Sequence, residues 1–140
     1  MTFREKSAWV MAVLMIVTGL VYGWLVMTLS AALGQTAPPL AAAVPYVLLV
    51  VVGSVVLQTV LSLLTPKEAQ APADEREQAV MDRAGSWAGL VTGAGVVCAL
   101  GWFLVQEDGR MLFHMVLGAL IVGQVATHLF EIVLFRRGSH

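Results

Sequence analysis

The side chains best able to do chemistry lie in the last long apolar run of this 140-residue chain: His114, Gln124, His128 and Glu131. Ionisable groups are costly to place inside a membrane, so they mark candidate functional sites. His114 and His128 are fourteen residues apart and Gln124 and Glu131 are seven apart, and these two heptad rows share one helix face. His128 and Glu131 should be near neighbours, and Gln58 of an earlier run should lie at a similar depth.

Several interpretations of this polar stripe are open. It can be a hydrogen-bonded seam between helices, with Glu131 hydrated or paired with Arg83 or Arg136. It can also be a site or pathway for an ion, a proton or a small solute, because His128 can change charge near neutral pH, tuned by Glu131 and Gln124. A metal site is a third interpretation, but a metal needs three or four donors and only His128 and Glu131 are close in sequence, so the metal stays unknown.

The two histidines also allow a haem hypothesis. His114 and His128 are fourteen residues apart, which is about 21 Å along a helix. This spacing resembles that of the diheme membrane cytochromes b, in which each helix gives one ligand to each haem. The resemblance implies a matching histidine pair on a second helix, and this chain has none. Ligation would then need a second copy or a methionine such as Met15 or Met27.

Four apolar runs must position these side chains, at about residues 9–33, 45–64, 87–105 and 111–135. Each reaches the roughly 18–20 residues that cross a bilayer as a helix. Seven of the eight Lys and Arg residues fall on one side of such a four-span chain, and basic loops stay in the cytoplasm. The sequence therefore predicts an all-α integral membrane four-helix bundle with both termini inside the cell. Residues 1–137 form one domain, and 138–140 resemble a purification-tag remnant.

Glycines predict where helices approach one another closely. Gly19 and Gly23 are four residues apart in the first run, and Gly85, Gly89 and Gly93 form a row in the third. Small residues at this spacing let helix backbones meet in lipid. The partner helix can belong to the same chain or to a second copy, and a homodimer is expected through a glycine-rich or polar face.

Composition limits the function classes. Hydrophobic residues make up 59% of the chain and charged residues 12%, and the net charge is −1. The chain has no room for a soluble domain and no basic patch for nucleic acid. It also has no nucleophile–base pair, phosphate loop or HExxH motif, so no catalytic residue is assigned. The expected role is a non-enzymatic membrane protein that self-assembles or supports a membrane or cytoplasmic partner; a haem- or quinone-binding protein is a further alternative.

The linker at 65–83 is the only polar segment of any size. Asp74 and Glu77 predict a capping box that starts a helix, and the same segment is a candidate docking surface for a cytoplasmic partner. The run Asp74-Glu75-Arg76-Glu77 resembles an Asp-Glu-Arg-acid motif in the central linker of small four-span bacterial inner-membrane proteins of unknown function. That resemblance implies a bacterial inner-membrane location and no known activity.

Overall fold

The computed structural model describes residues 1–137, so the predicted tag remnant at 138–140 lies outside the described residues. The described chain is helical and contains no strand: α1 (Phe3–Leu33), α2 (Pro39–Leu64), the short α3 (Pro66–Ala69), α4 (Glu75–Gln106) and α5 (Gly109–Arg137). The four long helices are each long and apolar enough to cross a membrane. The predicted all-α class is confirmed.

Local sequence signals set the helix ends. Thr2 caps α1 because its hydroxyl accepts a backbone N–H of the first turn at 3.2 Å. The C-cap of α1 is Gly34, whose φ of 63° is the left-handed conformation that glycine adopts without strain. Asp74 caps α4 and forms the predicted capping box with Glu77. The capping-box prediction is therefore confirmed.

α2 begins earlier than its apolar run predicts. Pro38 is its N-cap and Pro39 its first residue, a position where the missing N–H of proline is not needed. Pro45, expected at the opening or first turn of this helix, lies inside it and removes one backbone hydrogen bond. The other long helices also begin before their apolar runs, because capping and charged residues continue each helix past its apolar part.

The long helices pack as a row. α4 packs on α5, α5 on α1 and α1 on α2, whereas α2 meets α5 at only a few positions. The two outer helices are therefore α2 and α4. In α2 only Ala42 is buried, and large side chains such as Leu48 and Val55 are 59% and 61% exposed. Apolar surface of this extent suits lipid or a partner helix and does not suit water.

Small residues mark the closest helix contacts. A Cβ built on Gly95 of α4 would lie 2.7 Å from the Cβ of Ala119 on α5, and one built on Gly19 of α1 would lie 2.8 Å from a methyl of Ile121. Gly123 packs in the same way against Thr92. These positions set the separation of α5 from its two neighbours.

The antiparallel order gives the molecule two distinct ends. The terminal end holds the start of α1, the 65–74 linker and the last turn of α5, and an ion pair between Arg4 and Glu77 at 3.2 Å connects α1 to α4 there. The loop end holds the 34–38 and 107–108 loops, which a hydrogen bond from Thr36 to Asp108 at 2.5 Å connects. Both ends carry polar contacts between helices that are distant in sequence.

Candidate functional site

A cavity of about 290 Å³ lies at the terminal end, and all four long helices line it. Its polar lining residues are Arg4 and Ser7 of α1, Gln58 of α2, and His128 and Glu131 of α5. The remaining lining side chains are apolar: Phe3, Ala8, Met11, Met81 and Phe135. The cavity brings together three of the residues singled out from the sequence, namely Gln58, His128 and Glu131.

His128 and Glu131 form a hydrogen-bonded pair in this cavity. Nδ1 of His128 lies 3.1 Å from Oε2 of Glu131, and their side chains are 17% and 16% exposed. A carboxylate only accepts, so the imidazole hydrogen is assigned to Nδ1 and Nε2 of the neutral ring is left with a lone pair. Within residues 1–137, neither Nε2 of His128 nor Oε1 of Glu131 has a hydrogen-bond partner.

The remaining polar groups of the cavity are held by protein partners. The amide nitrogen of Gln58 donates to the hydroxyl oxygen of Ser7 at 2.8 Å. Nε of Arg4 donates to Oε2 of Glu77 at 3.2 Å, and one Nη points at the thioether of Met81 at 3.7 Å. Glu77 lies outside the cavity lining, and its ion pair with the guanidinium of Arg4 carries no net charge as a whole.

The linker is fastened over this end by ion pairs with α1. Lys6 pairs with Glu68 of α3 at 3.1 Å, and Arg4 pairs with Glu77 at the start of α4. The linker segment at 65–83 predicted as a docking surface is thus partly engaged by the chain's own N-terminal turns.

In the described structure, the two arginines considered as partners of Glu131 contact other groups. Arg83 lies over the ring of Trp87, 5.1 Å from its centroid. Arg136 pairs with Glu5 at 3.8 Å. Glu131 pairs with His128 instead, because the two are neighbours on one turn of α5. Both cations lie at the terminal end, as the sequence predicts. They do not lie on the face of α5 that carries Glu131.

His114 belongs to the loop end, and its environment is different. The ring is 6% exposed. Nε2 donates to the carbonyl oxygen of Ala37 at 2.8 Å, and Nδ1 accepts from the hydroxyl of Tyr22 at 2.5 Å. Both nitrogens of a neutral imidazole are thereby satisfied. In this arrangement His114 offers no lone pair to a haem iron, and its role is to join α5 to α1 and to the first loop.

The two loops beside His114 are joined by Asp108. Its carboxylate accepts from the hydroxyl of Thr36 at 2.5 Å and from the backbone N–H groups of Arg110 and Met111 at 2.9 and 3.2 Å. The Thr36 hydroxyl, followed by the Met111 amide, holds the pKa of Asp108 below its ordinary value. Asp108 therefore caps the first turn of α5 and also holds the first loop through Thr36.

The remaining residues of the predicted polar and glycine faces lie outside both the terminal-end cavity and the hydrogen bonds of His114. Gln124 is exposed and lines none of the terminal-end cavity. A Cβ added at Gly23, Gly85, Gly89 or Gly93 would meet no atom within 4 Å. On α4 the neighbouring small face, with Thr92 and Gly95, contacts α5 instead.

A larger groove of about 530 Å³ runs between α1 and α5. Gly19, Gly23 and Gly118 line it together with four methionines: Met15, Met27, Met111 and Met115. Its lining is almost entirely apolar, so the groove offers hydrocarbon contacts and almost no hydrogen bonds to an occupant.

Sequence reasoning missed Arg4, Ser7 and Tyr22. Arg4 is one of the basic residues that flank the first apolar run. Its sequence position therefore indicates a side of the membrane and not a place in the cavity. Ser7 lies before the first apolar run, and it reaches the cavity because α1 already begins at Phe3. Tyr22 lies near Gly19 and Gly23, and the sequence gives no sign that it meets His114.

No family model matches the chain, and no curated protein and no solved structure matches it. Within the described residues no group of three or more His, Cys, Asp or Glu side chains could hold a metal ion.

Proposed function

We propose that this chain is a non-enzymatic assembly protein of the bacterial inner membrane, which joins a second copy through the glycine row of α4. The observation that carries the proposal is the exposure of Gly85, Gly89 and Gly93, none of which has an atom near the position of a Cβ. The adjacent face of the same helix already packs on α5.

An exposed row of glycines favours the association of helices in lipid. Glycine inside a helix is destabilising by about 0.5–1 kcal/mol relative to alanine. Within one chain these glycines make no close contact that offsets this loss. Close approach of another helix supplies dispersion contacts and backbone proximity, which are the forces that associate helices in lipid. A second copy is the simplest source of such a helix.

The charge distribution supports membrane insertion with the terminal end in the cytoplasm. Seven of the eight basic residues belong to the terminal end: Arg4, Lys6, Lys67, Arg76, Arg83, Arg136 and Arg137. Arg110 lies in the first turn of α5, at the loop end. Lys and Arg in short loops favour the cytoplasmic side.

The test is the oligomeric state of the protein in lipid nanodiscs, measured by native mass spectrometry. The wild-type chain is expected to be a dimer, and Gly89→Leu and Gly93→Leu are expected to be monomers with unchanged helix content. Ala94→Leu is the matched control, since it adds bulk at the next exposed position of α4 and should leave the dimer intact. A wild-type monomer, or leucine variants that remain dimeric, would overturn the proposal.

A second candidate function is small-solute handling at the terminal-end cavity. The pairing of His128 with Glu131 beside Gln58 favours it. Binding suits this geometry better than conduction, because the hydroxyls of Thr18, Thr92 and Thr127 donate to carbonyls of their own helices. These groups therefore do not form a polar chain between the two ends.

This second candidate is tested by proteoliposome flux measured beside equilibrium binding. Binding without flux of the same solute is the expected result. Flux that is lost in Glu131→Gln would replace the binding function with a pathway.

A further inference from the structure

We propose that the terminal-end cavity binds a primary ammonium group carried on an apolar body. This inference goes beyond self-assembly and does not depend on it. It rests on the charge, the hydrogen-bond capacity and the walls of one cavity lined by all four long helices.

The charge of the cavity favours a cation. Arg4 is paired with Glu77, so those two charges balance. The carboxylate of Glu131 faces an imidazole that is neutral in the tautomer assigned above. With His128 uncharged, the group carries one net negative charge, and a low dielectric surrounding strengthens its attraction for a bound cation.

The open hydrogen-bond positions are acceptors. Glu131 holds the Nδ1 hydrogen of His128, so Oε1 of the carboxylate and Nε2 of the ring both present lone pairs. The hydroxyl oxygen of Ser7 accepts one hydrogen bond from Gln58 and has a second lone pair. An ammonium group has three N–H donors and no acceptor, so it matches this set. A carboxylate or phosphate ligand would find lone pairs where it needs donors.

The walls fit an apolar body attached to the ammonium. Two phenyl rings, of Phe3 and Phe135, and two thioether side chains, of Met11 and Met81, line the cavity. Aromatic faces attract cations, and methionine adapts its shape to irregular ligands. A volume of about 290 Å³ lies near the lower limit for small-molecule pockets, so it admits a compact amine or a lipid headgroup.

The groups that face His128 predict how binding depends on pH. Arg4 comes from α1 and Glu131 from α5, whereas α2 contributes Gln58 and α4 contributes Met81, neither of which titrates. Protonation of His128 turns Nε2 into a donor and cancels the net negative charge. Protonation of Glu131 has the same two effects on the carboxylate. Acidification must therefore weaken binding of the ammonium.

A primary ammonium can reach the cavity from two sources. One is a soluble amine, which enters from the solvent at the terminal end. The other is the headgroup of phosphatidylethanolamine. The proposed orientation puts the cavity near one membrane surface, where that headgroup lies. The chemistry recognised is the same in both cases, and the experiment separates the sources.

The first arm is a calorimetric titration of the full chain in mild detergent with benzylammonium. Wild-type protein is expected to bind it and to ignore benzyl alcohol and benzoate, which have the same ring without the cation. Glu131→Gln should bind about tenfold more weakly or worse, since a charge-assisted hydrogen bond is lost. Asp82→Asn is the matched control: it removes a carboxylate from an exposed position of α4 and should bind normally.

The pH dependence of binding is measured on the wild-type protein, so a folding defect in a variant cannot affect it. Benzylammonium affinity should fall as the pH is lowered, because protonation of His128 or Glu131 removes an acceptor and the net negative charge. The second arm places the same proteins in phosphatidylcholine nanodiscs with and without phosphatidylethanolamine and measures retained lipid by native mass spectrometry.

Each result decides between support and rejection. Retention of phosphatidylethanolamine by the wild type and not by Glu131→Gln would identify the lipid as the source. Binding of benzylammonium that is insensitive to phosphatidylethanolamine would identify a soluble amine. The proposal is overturned if the wild type binds neither, if Glu131→Gln binds as well as Asp82→Asn, or if benzoate binds and benzylammonium does not.

Discussion

Tyr22 donates its hydroxyl hydrogen to Nδ1 of His114 over 2.5 Å. This bond joins the middle of α1 to the first turns of α5. Nε2–H of His114 donates to the carbonyl oxygen of Ala37, so one imidazole connects two helices and a loop. The buried polar group is stable because both of its nitrogens have partners.

Tyr22→Phe should destabilise the protein because it leaves Nδ1 of His114 buried without a donor. We expect a loss of about 1–3 kcal/mol in the free energy of unfolding, measured by denaturant titration in mild detergent. Tyr46→Phe is the control, since the Tyr46 ring lies 5.3 Å from the Tyr22 ring at a tilt of 58° and, within the described residues, makes no hydrogen bond with His114. Equal losses in the two variants would contradict the role given to the Tyr22 hydroxyl.

Gly95→Ala and Gly93→Ala should differ sharply although the sites are two residues apart. The added methyl at Gly95 would lie 2.7 Å from the Cβ of Ala119 and 3.4 Å from its Cα, so the backbone of α5 must move. Overpacking of this kind costs about 1–3 kcal/mol. At Gly93 the methyl meets nothing within the chain, so the stability of the monomer should be unchanged or slightly higher. Thermal unfolding of the two variants, both in a detergent that keeps the chain monomeric, tests this, and a reversed order would place the α4–α5 contact on the wrong face.

Stability should fall at acid pH through Asp108. Its folded pKa is lowered from 3.8, so the folded state binds the proton more weakly than the unfolded state. The stabilising contribution is complete above about pH 4 and is lost as the pH falls through the lower folded pKa. Thr36→Val removes the largest cause of the shift and should flatten this dependence at pH values below about 4 in thermal unfolding.

Glu107→Gln is the matched control for that prediction. It alters the carboxylate next to Asp108 and leaves the Thr36 contact intact, so its pH profile should follow the wild type. A Thr36→Val profile as steep as the wild-type profile would show that the Thr36 contact does not stabilise the folded carboxylate.

Asp74→Ala and Glu77→Gln separate two roles of the α4 start. Asp74→Ala removes the side-chain cap and should cost about 0.5–2 kcal/mol of local stability, seen as faster hydrogen exchange at amides 75–78. Glu77→Gln keeps an amide oxygen for the capping box and removes the ion pair with Arg4. It should therefore leave those amides protected while exchange near Arg4 rises. Identical exchange patterns in the two variants would mean that the cap and the ion pair protect the same amides and do not have separate roles.

The helices could be predicted from the sequence because each signal is local. Apolar length gives the four long helices, and the Asp74–Glu77 pattern gives the start of α4. The early start of α2 at Pro39 could not be predicted from the sequence. The residues on both sides of Pro45 are apolar, so they give no signal for where the helix begins.

The site could be predicted only in part. His128 and Glu131 meet because both lie on one turn of α5, and that contact follows from spacing alone. Arg4 and Ser7 reach the same cavity through packing of α1 against α5, which no local pattern encodes. His114 shares a helix face with His128 and ends in a separate cluster, because the neighbours at the loop end are Tyr22 and Ala37.

The pairing of α1 with α5 has a consequence for biosynthesis. These helices are the first and the last long elements of the described chain, yet they pack together and both line the terminal-end cavity. A nascent chain that has released only α1, α2 and α4 has no His128, no Glu131 and no central partner for α1. The α1–α2 pair must therefore remain without its α5 contacts until α5 leaves the ribosome. The terminal-end cavity is complete only when α5 has joined the other three long helices.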